Sequence, residues 1–180
     1  MKIFRDRNDM VKELVKPGSV GVEVGVWRAE FSVEILKSIP RKLYLVDAWE
    51  NYPAYASDKF FSNGNHAENL KHTMDIVAPF GNQVSVIQGF SSEVALRYPF
   101  EPLDWVYLDA NHTYPFTFID LVAWSLRLAP NGIIMGHDYI HRDYENFGVI
   151  PAVNEFCQRF NWKIEYLAVE NICSYALVRQ

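Results

Sequence analysis

Two periods govern the apolar residues of this chain. Compact apolar runs cover 20–24 (VGVEV), 42–46 (KLYLV), 84–88 (VSVIQ), 103–108 (LDWVYL) and 133–136 (IIMG). Runs of this length, closed by a glycine or a polar residue, read as strands buried on both faces of a parallel sheet. Between them apolar residues recur at helical spacing. The spacing predicts helices over 7–15 (Met10, Val11, Leu14 and Val15), 29–38 (Phe31, Ile35 and Leu36), 66–78 (Leu70, Met74 and Val77 inward), 93–98, 116–128 and 152–160 (Val153 and Phe156 inward). Pro17-Gly18, Pro40 and Pro130-Asn131-Gly132 punctuate them. Pro115 is suited to open the fifth helix. Two last runs, 163–169 and 172–178, flank Glu170-Asn171 and predict a terminal hairpin. The expected fold is therefore α/β. It has a Rossmann-like sheet of seven strands, mostly parallel with a C-terminal antiparallel hairpin, and helices on both faces.

Length fits one domain over 1–180, large enough to bury about 70% of its unfolded surface. One segment breaks the regular alternation. Residues 48–64 carry Trp49, Tyr52, Tyr55, Phe60 and Phe61 between the second strand and the next helix. An aromatic insertion there suits a substrate wall or lid, or a homodimer contact through 49–61. Charged residues make up 22% and the net charge is -5, with no basic stripe in the sequence. That composition predicts no nucleic-acid partner. Cys157 and Cys173 lie in apolar segments without metal spacing and are expected to be buried free thiols. Without a signal-like or membrane-length apolar run, the expected location is cytoplasmic, with no membrane partner.

Candidate chemistry gathers at the strand ends. GVEVGVWRAEFS, 21–32, places Gly25 between a strand and a helix, a turn that brings backbone N–H groups toward a ligand. A second and third glycine at the fingerprint spacing are missing, so the pattern suits a ligand without pyrophosphate. Asp47 closes the second strand 22 positions later, where an acid commonly accepts from ribose hydroxyls. Ser91 and Ser92 follow Gly89 and can cap the next helix. Asp109 ends the fourth strand, with Asn111, His112 and Tyr114 after it, and His137-Asp138 ends the fifth. Adjacent parallel strands would bring Asp109 and Asp138 within reach of one hard cation. His66 and His72 read as ordinary surface residues.

In the order VEVGVWRAEFS, LVDAW, QGFSS, DWVYLDANHTY and LAPNGIIMGHDY, the chain resembles the class I S-adenosylmethionine-dependent methyltransferases. It is most similar to the small-molecule enzymes of the macrocin and cephalosporin-pathway type. The resemblance implies methyl transfer to a small-molecule acceptor, a hydroxyl, with S-adenosyl-L-methionine as cofactor and Mg2+ as an optional helper. It implies Glu23, Gly25 and Trp27 at the methionine part of the cofactor, Asp47 at the ribose, and Phe90 and Ser91 at the adenine. Asp109 borders the cofactor and joins Asp138 as a metal ligand. His137 stands where such enzymes carry an acidic or polar residue, and Ala29 where a glycine is common. A hydroxyl nucleophile must lose its proton, so Asp109, His112 and His137 are the catalytic candidates, the two histidines as alternative bases.

Two other classes share part of the pattern. A nicotinamide-dependent oxidoreductase shares the opening turn and Asp47, and is disfavoured by the missing glycines and the terminal hairpin. A non-catalytic cofactor-binding or assembly protein would fit the short chain, and the aromatic segment argues against it.

Overall fold

The computed structural model describes residues 1–50, 65–141 and 147–180. Eight strands form one sheet: β1 (Lys2–Phe4), β2 (Val20–Val24), β3 (Lys42–Asp47), β4 (Val84–Gln88), β5 (Leu103–Leu108), β6 (Leu128–Gly136), β7 (Trp162–Ala168) and β8 (Ser174–Arg179). Their spatial order is β1-β7-β8-β6-β5-β2-β3-β4. All neighbours run parallel except β8, which is antiparallel to both β6 and β7. The antiparallel strand therefore lies two strands inside the edge. The seven expected strands are present, and the eighth is β1. Its three residues pair with Tyr166, Leu167 and Ala168, a partner too distant for local pattern to reveal.

Among the described residues six α-helices cover the faces: α1 (Arg7–Leu14), α2 (Glu30–Leu36), α3 (His66–Val77), α4 (Ser91–Arg97), α5 (Tyr114–Ser125) and α6 (Val149–Phe160). Period-two alternation assigns the faces. On β5, Val106 and Leu108 pack with α4, α5 and α6, while Trp105 and Tyr107 pack with α1, α2 and α3. On β2, Val20, Val22 and Val24 join the first layer. Gly21 and Glu23 consequently face the second, where a Cβ on Gly21 would stand 2.1 Å from the Trp105 ring.

Several boundaries differ from expectation for local reasons. β6 starts at Leu128 because that residue pairs with Leu103 ahead of a register shift in β5. The hairpin turn is longer than Glu170-Asn171, since β8 begins only at Ser174. α4 has Phe90 as its N-cap, without a side-chain cap bond. The Ser91 hydroxyl is instead engaged by the Trp124 indole N–H at 2.9 Å. α3 buries Asn69, Thr73 and Val77, and leaves Met74 51% exposed. Its polar side chains turn inward because they meet the backbone of the Gly25 turn: Thr73 Oγ1 donates to the Trp27 carbonyl at 3.3 Å. Cys157 and Cys173 are free and half-buried. Among the described residues no helix is long and apolar enough to cross a membrane. The aromatic segment lies, from 51 to 64, outside the described residues. So does most of the 49–61 dimer surface expected from it.

Candidate functional site

From β2 the chain runs to β3 and β4 on one side, and β5 and β6 lie on the other. Open parallel sheets bind ligands at the carboxyl edge of such a reversal. A cleft of about 600 Å3 opens there. Its walls come from Gly25, Val26 and Trp27 after β2, Asp47 and Trp49 at the end of β3, Gly89, Phe90 and Ser91 after β4, and Asp109 to His112 after β5. Arg7, Glu23, Glu30, Phe31, His66, Asn69 and Asp120 also line it.

Gly25 has φ +87, and a Cβ there would stand 2.0 Å from the Asp109 carbonyl oxygen. The glycine is thus required by the neighbouring strand end as much as by any ligand. Its N–H donates to Val46 O at 2.9 Å, and Asp109 N donates to Val24 O at 2.8 Å. These bonds lock three strand ends together. Non-glycine residues with positive φ surround them: Trp27, Ala29, Trp49 and Asp138. Backbone strain of this kind concentrates at ligand sites.

Asp47 holds two of the strained turns in place. Its Oδ2 accepts from Val26 N and Trp27 N, each at 2.8 Å, and its Oδ1 accepts from Trp49 N at 2.9 Å. The Trp49 indole N–H in turn donates to Trp27 O at 2.9 Å. The expected ribose acceptor is therefore also a brace. A carboxylate offers about four acceptor positions, so one remains toward the cleft.

Glu23 is 2% exposed at the floor and accepts from Ser32 Oγ at 2.5 Å. Burial, outweighing the Ser32 bond and reinforced by Asp109 and Asp47, raises its carboxyl from 4.5 to about 8. Burial likewise raises Asp120 from 3.8 to about 7, against a bond from Ser91. Each group keeps its proton in the folded chain at pH values where the unfolded chain has lost it. Stability is then fully present below the unfolded values and is lost as pH rises toward 7 and 8. Melting of the ligand-free protein should show a lower Tm at pH 8 than at pH 5. Glu23→Gln should flatten that decline by on the order of 2 kcal/mol. Parallel profiles for wild type and variant would contradict it.

Asp109, His112 and Asp138 meet at one corner. His112 Nε2 lies 3.1 Å from Asp138 Oδ2 and 3.6 Å from Asp109 Oδ1, and the imidazole stacks on Phe147. One donor atom from each residue lies within 4.8 Å of the other two. Two carboxylates and one imidazole fit a divalent cation, the oxygens suiting magnesium or manganese and the nitrogen favouring a first-row transition metal. The expected Asp109–Asp138 pair is thus brought together, and the structure adds His112, expected from sequence only as a base. A cation and a proton would compete for the same Nε2.

His137 is placed differently. Its Nδ1 lies 2.7 Å from Ser174 Oγ, burial first of all lowers its pKa, and it borders a small cavity behind the cleft instead of the cleft itself. Trp27, Phe90 and Ser91 do border the cleft, Trp27 with 63% exposure at its mouth. Five further polar lining residues are not among the candidates from sequence: Arg7, Glu30, His66, Asn69 and Asp120. Arg7 stacks on Phe31 at 4.3 Å and lies 3.6 Å from Asp109 Oδ2. Asp120 had a signal, being the only charged residue in apolar α5. Five carboxyl groups and one guanidinium border the cleft. With Glu23 and Asp120 holding their protons, the carboxylates of Glu30, Asp47 and Asp109 still outnumber the Arg7 guanidinium, a balance that suits a ligand with cationic centres and opposes a dinucleotide pyrophosphate.

A family model described as a methyltransferase domain matches residues 22–139. No curated protein sequence matches the chain. Among solved structures, the fold is similar to an rRNA methylase from Streptococcus thermophilus (TM-score 0.66, 14% identity, 96% of this chain and 93% of that one). It is similar to a ribosomal protein L11 methylase from Lactobacillus delbrueckii subsp. bulgaricus (TM-score 0.65, 13% identity, 96% and 76%). It is also similar to the O-methyltransferase TomG from Streptomyces achromogenes, solved with S-adenosylmethionine and involved in tomaymycin synthesis (TM-score 0.69, 14% identity, 97% and 80%). These likenesses correct one expectation. A small-molecule partner with nucleic acid excluded does not follow from the acidic composition, because the same fold occurs in an rRNA methylase. Net charge describes the whole surface, whereas a nucleic-acid contact needs only a local one.

Proposed function

Because this chain belongs to the methyltransferase domain family and has the class I S-adenosylmethionine-dependent fold, we propose that it methylates an acceptor hydroxyl held beside the Asp109–His112–Asp138 corner. The observation that carries the proposal is this corner itself. It couples two carboxylates to an imidazole within 4.8 Å, on the rim of the cofactor cleft. Bound S-adenosylmethionine supplies a methyl group already activated on a sulfonium. A divalent cation held by Asp109, His112 and Asp138 supplies Lewis acidity toward a hydroxyl.

The chain's own residues do the rest. Glu23, at the cleft floor, faces the ammonium of the methionine part, and Asp47 reaches the ribose with its remaining acceptor position. Gly25 and Trp27 form the turn under the sulfur. The corner fixes the acceptor oxygen, and fixed alignment with the methyl group contributes several kcal/mol to such a reaction. Where no cation is bound, His112 Nε2 accepts the hydroxyl proton, and the flanking carboxylates stabilise the imidazolium.

The narrower resemblance to the macrocin and cephalosporin-pathway enzymes supports a sugar or phenolic hydroxyl. The likeness to an rRNA methylase supports a hydroxyl on RNA. One assay tests the proposal on both. Metal-stripped protein is given S-adenosylmethionine with a labelled methyl group, together with phenols, sugars or RNA, with and without magnesium or manganese. Label should enter a hydroxyl, and chelation should lower turnover at least about tenfold, with recovery on adding the ion. Transfer only to nitrogen or carbon would remove the hydroxyl assignment, and turnover indifferent to chelation would remove the cation.

A further inference from the structure

We infer that Arg7 is a built-in counter-charge of the Asp109–His112–Asp138 corner, and that it keeps the ligand-free corner from holding a divalent cation tightly. The inference rests on the cation reading above and adds to it the group that sets the strength of binding.

Arg7 is the only lysine or arginine among the described residues that line the cleft. It stands in the first turn of α1, and no other residue of that helix borders the cleft. Its Nη1 lies 3.6 Å from Asp109 Oδ2. The other oxygen of that carboxylate, Oδ1, lies 3.6 Å from His112 Nε2. One carboxylate is thus shared between the guanidinium and the corner. A cation entering the corner meets two carboxylates and, on the far side of one of them, a positive charge that is permanent.

The guanidinium is held in that place. It lies over the Phe31 ring at 4.3 Å, and the backbone N–H of Arg7 donates to Glu170 Oε1 at 2.8 Å. The fully buried Tyr107 also bears on its charge. A loose surface arginine would swing into water as a cation arrived, at little cost. One that is stacked and anchored stays and repels the ion. Its side chain is 31% exposed, so water screens part of that repulsion. The opposite role for the same contact is to orient Asp109 as a ligand. Removing Arg7 would then weaken cation binding, whereas removing a counter-charge strengthens it, so the two roles differ in sign.

Titration of the metal-stripped, cofactor-free protein with Mn2+, read from the electron paramagnetic resonance of the free ion, separates them. Arg7→Met keeps a stem to lie on Phe31 and removes the charge. Arg7→Gln removes the charge and ends in a polar group. Each should bind Mn2+ at least about fivefold tighter than wild type, through the loss of one nearby positive charge. Arg7→Lys keeps the charge and should stay within about threefold. Arg5→Gln removes the same charge from a side chain that is 79% exposed, and should stay within about twofold. Adding Asp138→Asn should weaken Mn2+ binding at least about tenfold in every background, because it removes a charged ligand. Neutral Arg7 variants that bind Mn2+ no tighter than wild type would overturn the inference. So would an equal gain in Arg5→Gln, which would trace the effect to net charge, or binding that survives Asp138→Asn, which would lie elsewhere. Mn2+ bound by no protein of the series would overturn the cation reading itself, and this inference with it.

Discussion

Asp47→Ala is expected to abolish measurable cofactor binding, with an affinity loss of at least about 100-fold, and to lower stability at the same time. A carboxylate that only touched a ribose could be removed at little cost to the ligand-free fold. Here it accepts from Val26 N, Trp27 N and Trp49 N. Trp27 and Trp49 both sit at positive φ, 53 and 41, conformations that persist only when their surroundings hold them. Each lost bond to a charged acceptor is worth about 1.5–3 kcal/mol. The Trp27 part is smaller because that residue is 63% exposed. A total near 3 kcal/mol shifts Tm by about 6–12 °C for a chain of this size. Asp47→Asn should recover only part of this, since its amide would face a backbone N–H on one side. Thermal melting and ligand titration of the same preparations check both halves. Unchanged Tm with lost binding would reduce Asp47 to a ribose contact, and unchanged binding would remove it from the site.

Asp138→Asn should cost turnover about 100-fold or more and leave S-adenosylhomocysteine affinity within about threefold. Asp138 has φ 58 and is 7% exposed. Asparagine is at home in that left-handed conformation, so the variant keeps the turn and loses only the charge beside His112 Nε2. Asp109→Asn should behave alike in turnover. If the corner acts as a unit, the double variant should be little worse than either single one. Steady-state rates and calorimetry on the three proteins provide the check. Additive losses would mean that the residues act separately, and losses confined to cofactor affinity would move the corner out of the chemistry.

Much of the site is written in how the strands end. A parallel strand buried on both faces is predominantly apolar, Glu23 in β2 being the buried exception, so the polar residue that closes it marks the carboxyl edge. Asp47, Asp109 and His137-Asp138 were legible on that ground. What lay hidden depends on partners remote in sequence. β1 forms only because β7 offers an edge. Arg7 reaches Asp109 from the first helix, 102 positions away by numbering. Asn69 and Thr73 look like the polar side of α3, and become its buried side because the Gly25 turn supplies their partners. His112 and His137 look equivalent in sequence. The turn at Asp138 separates them, leaving one against two carboxylates and the other on Ser174. Ala29 occupies the left-handed position that glycine would fill more easily, at φ 64 and fully buried. It belongs to the same buried cluster as Val26, Phe31 and Ile35.

The most direct test of the account is calorimetric titration of the cofactor-stripped protein with S-adenosylhomocysteine, alongside a nicotinamide dinucleotide. The account predicts micromolar binding at one site per chain for the first ligand and none for the second. A folded protein that ignores S-adenosylhomocysteine, or that prefers the dinucleotide, would contradict it.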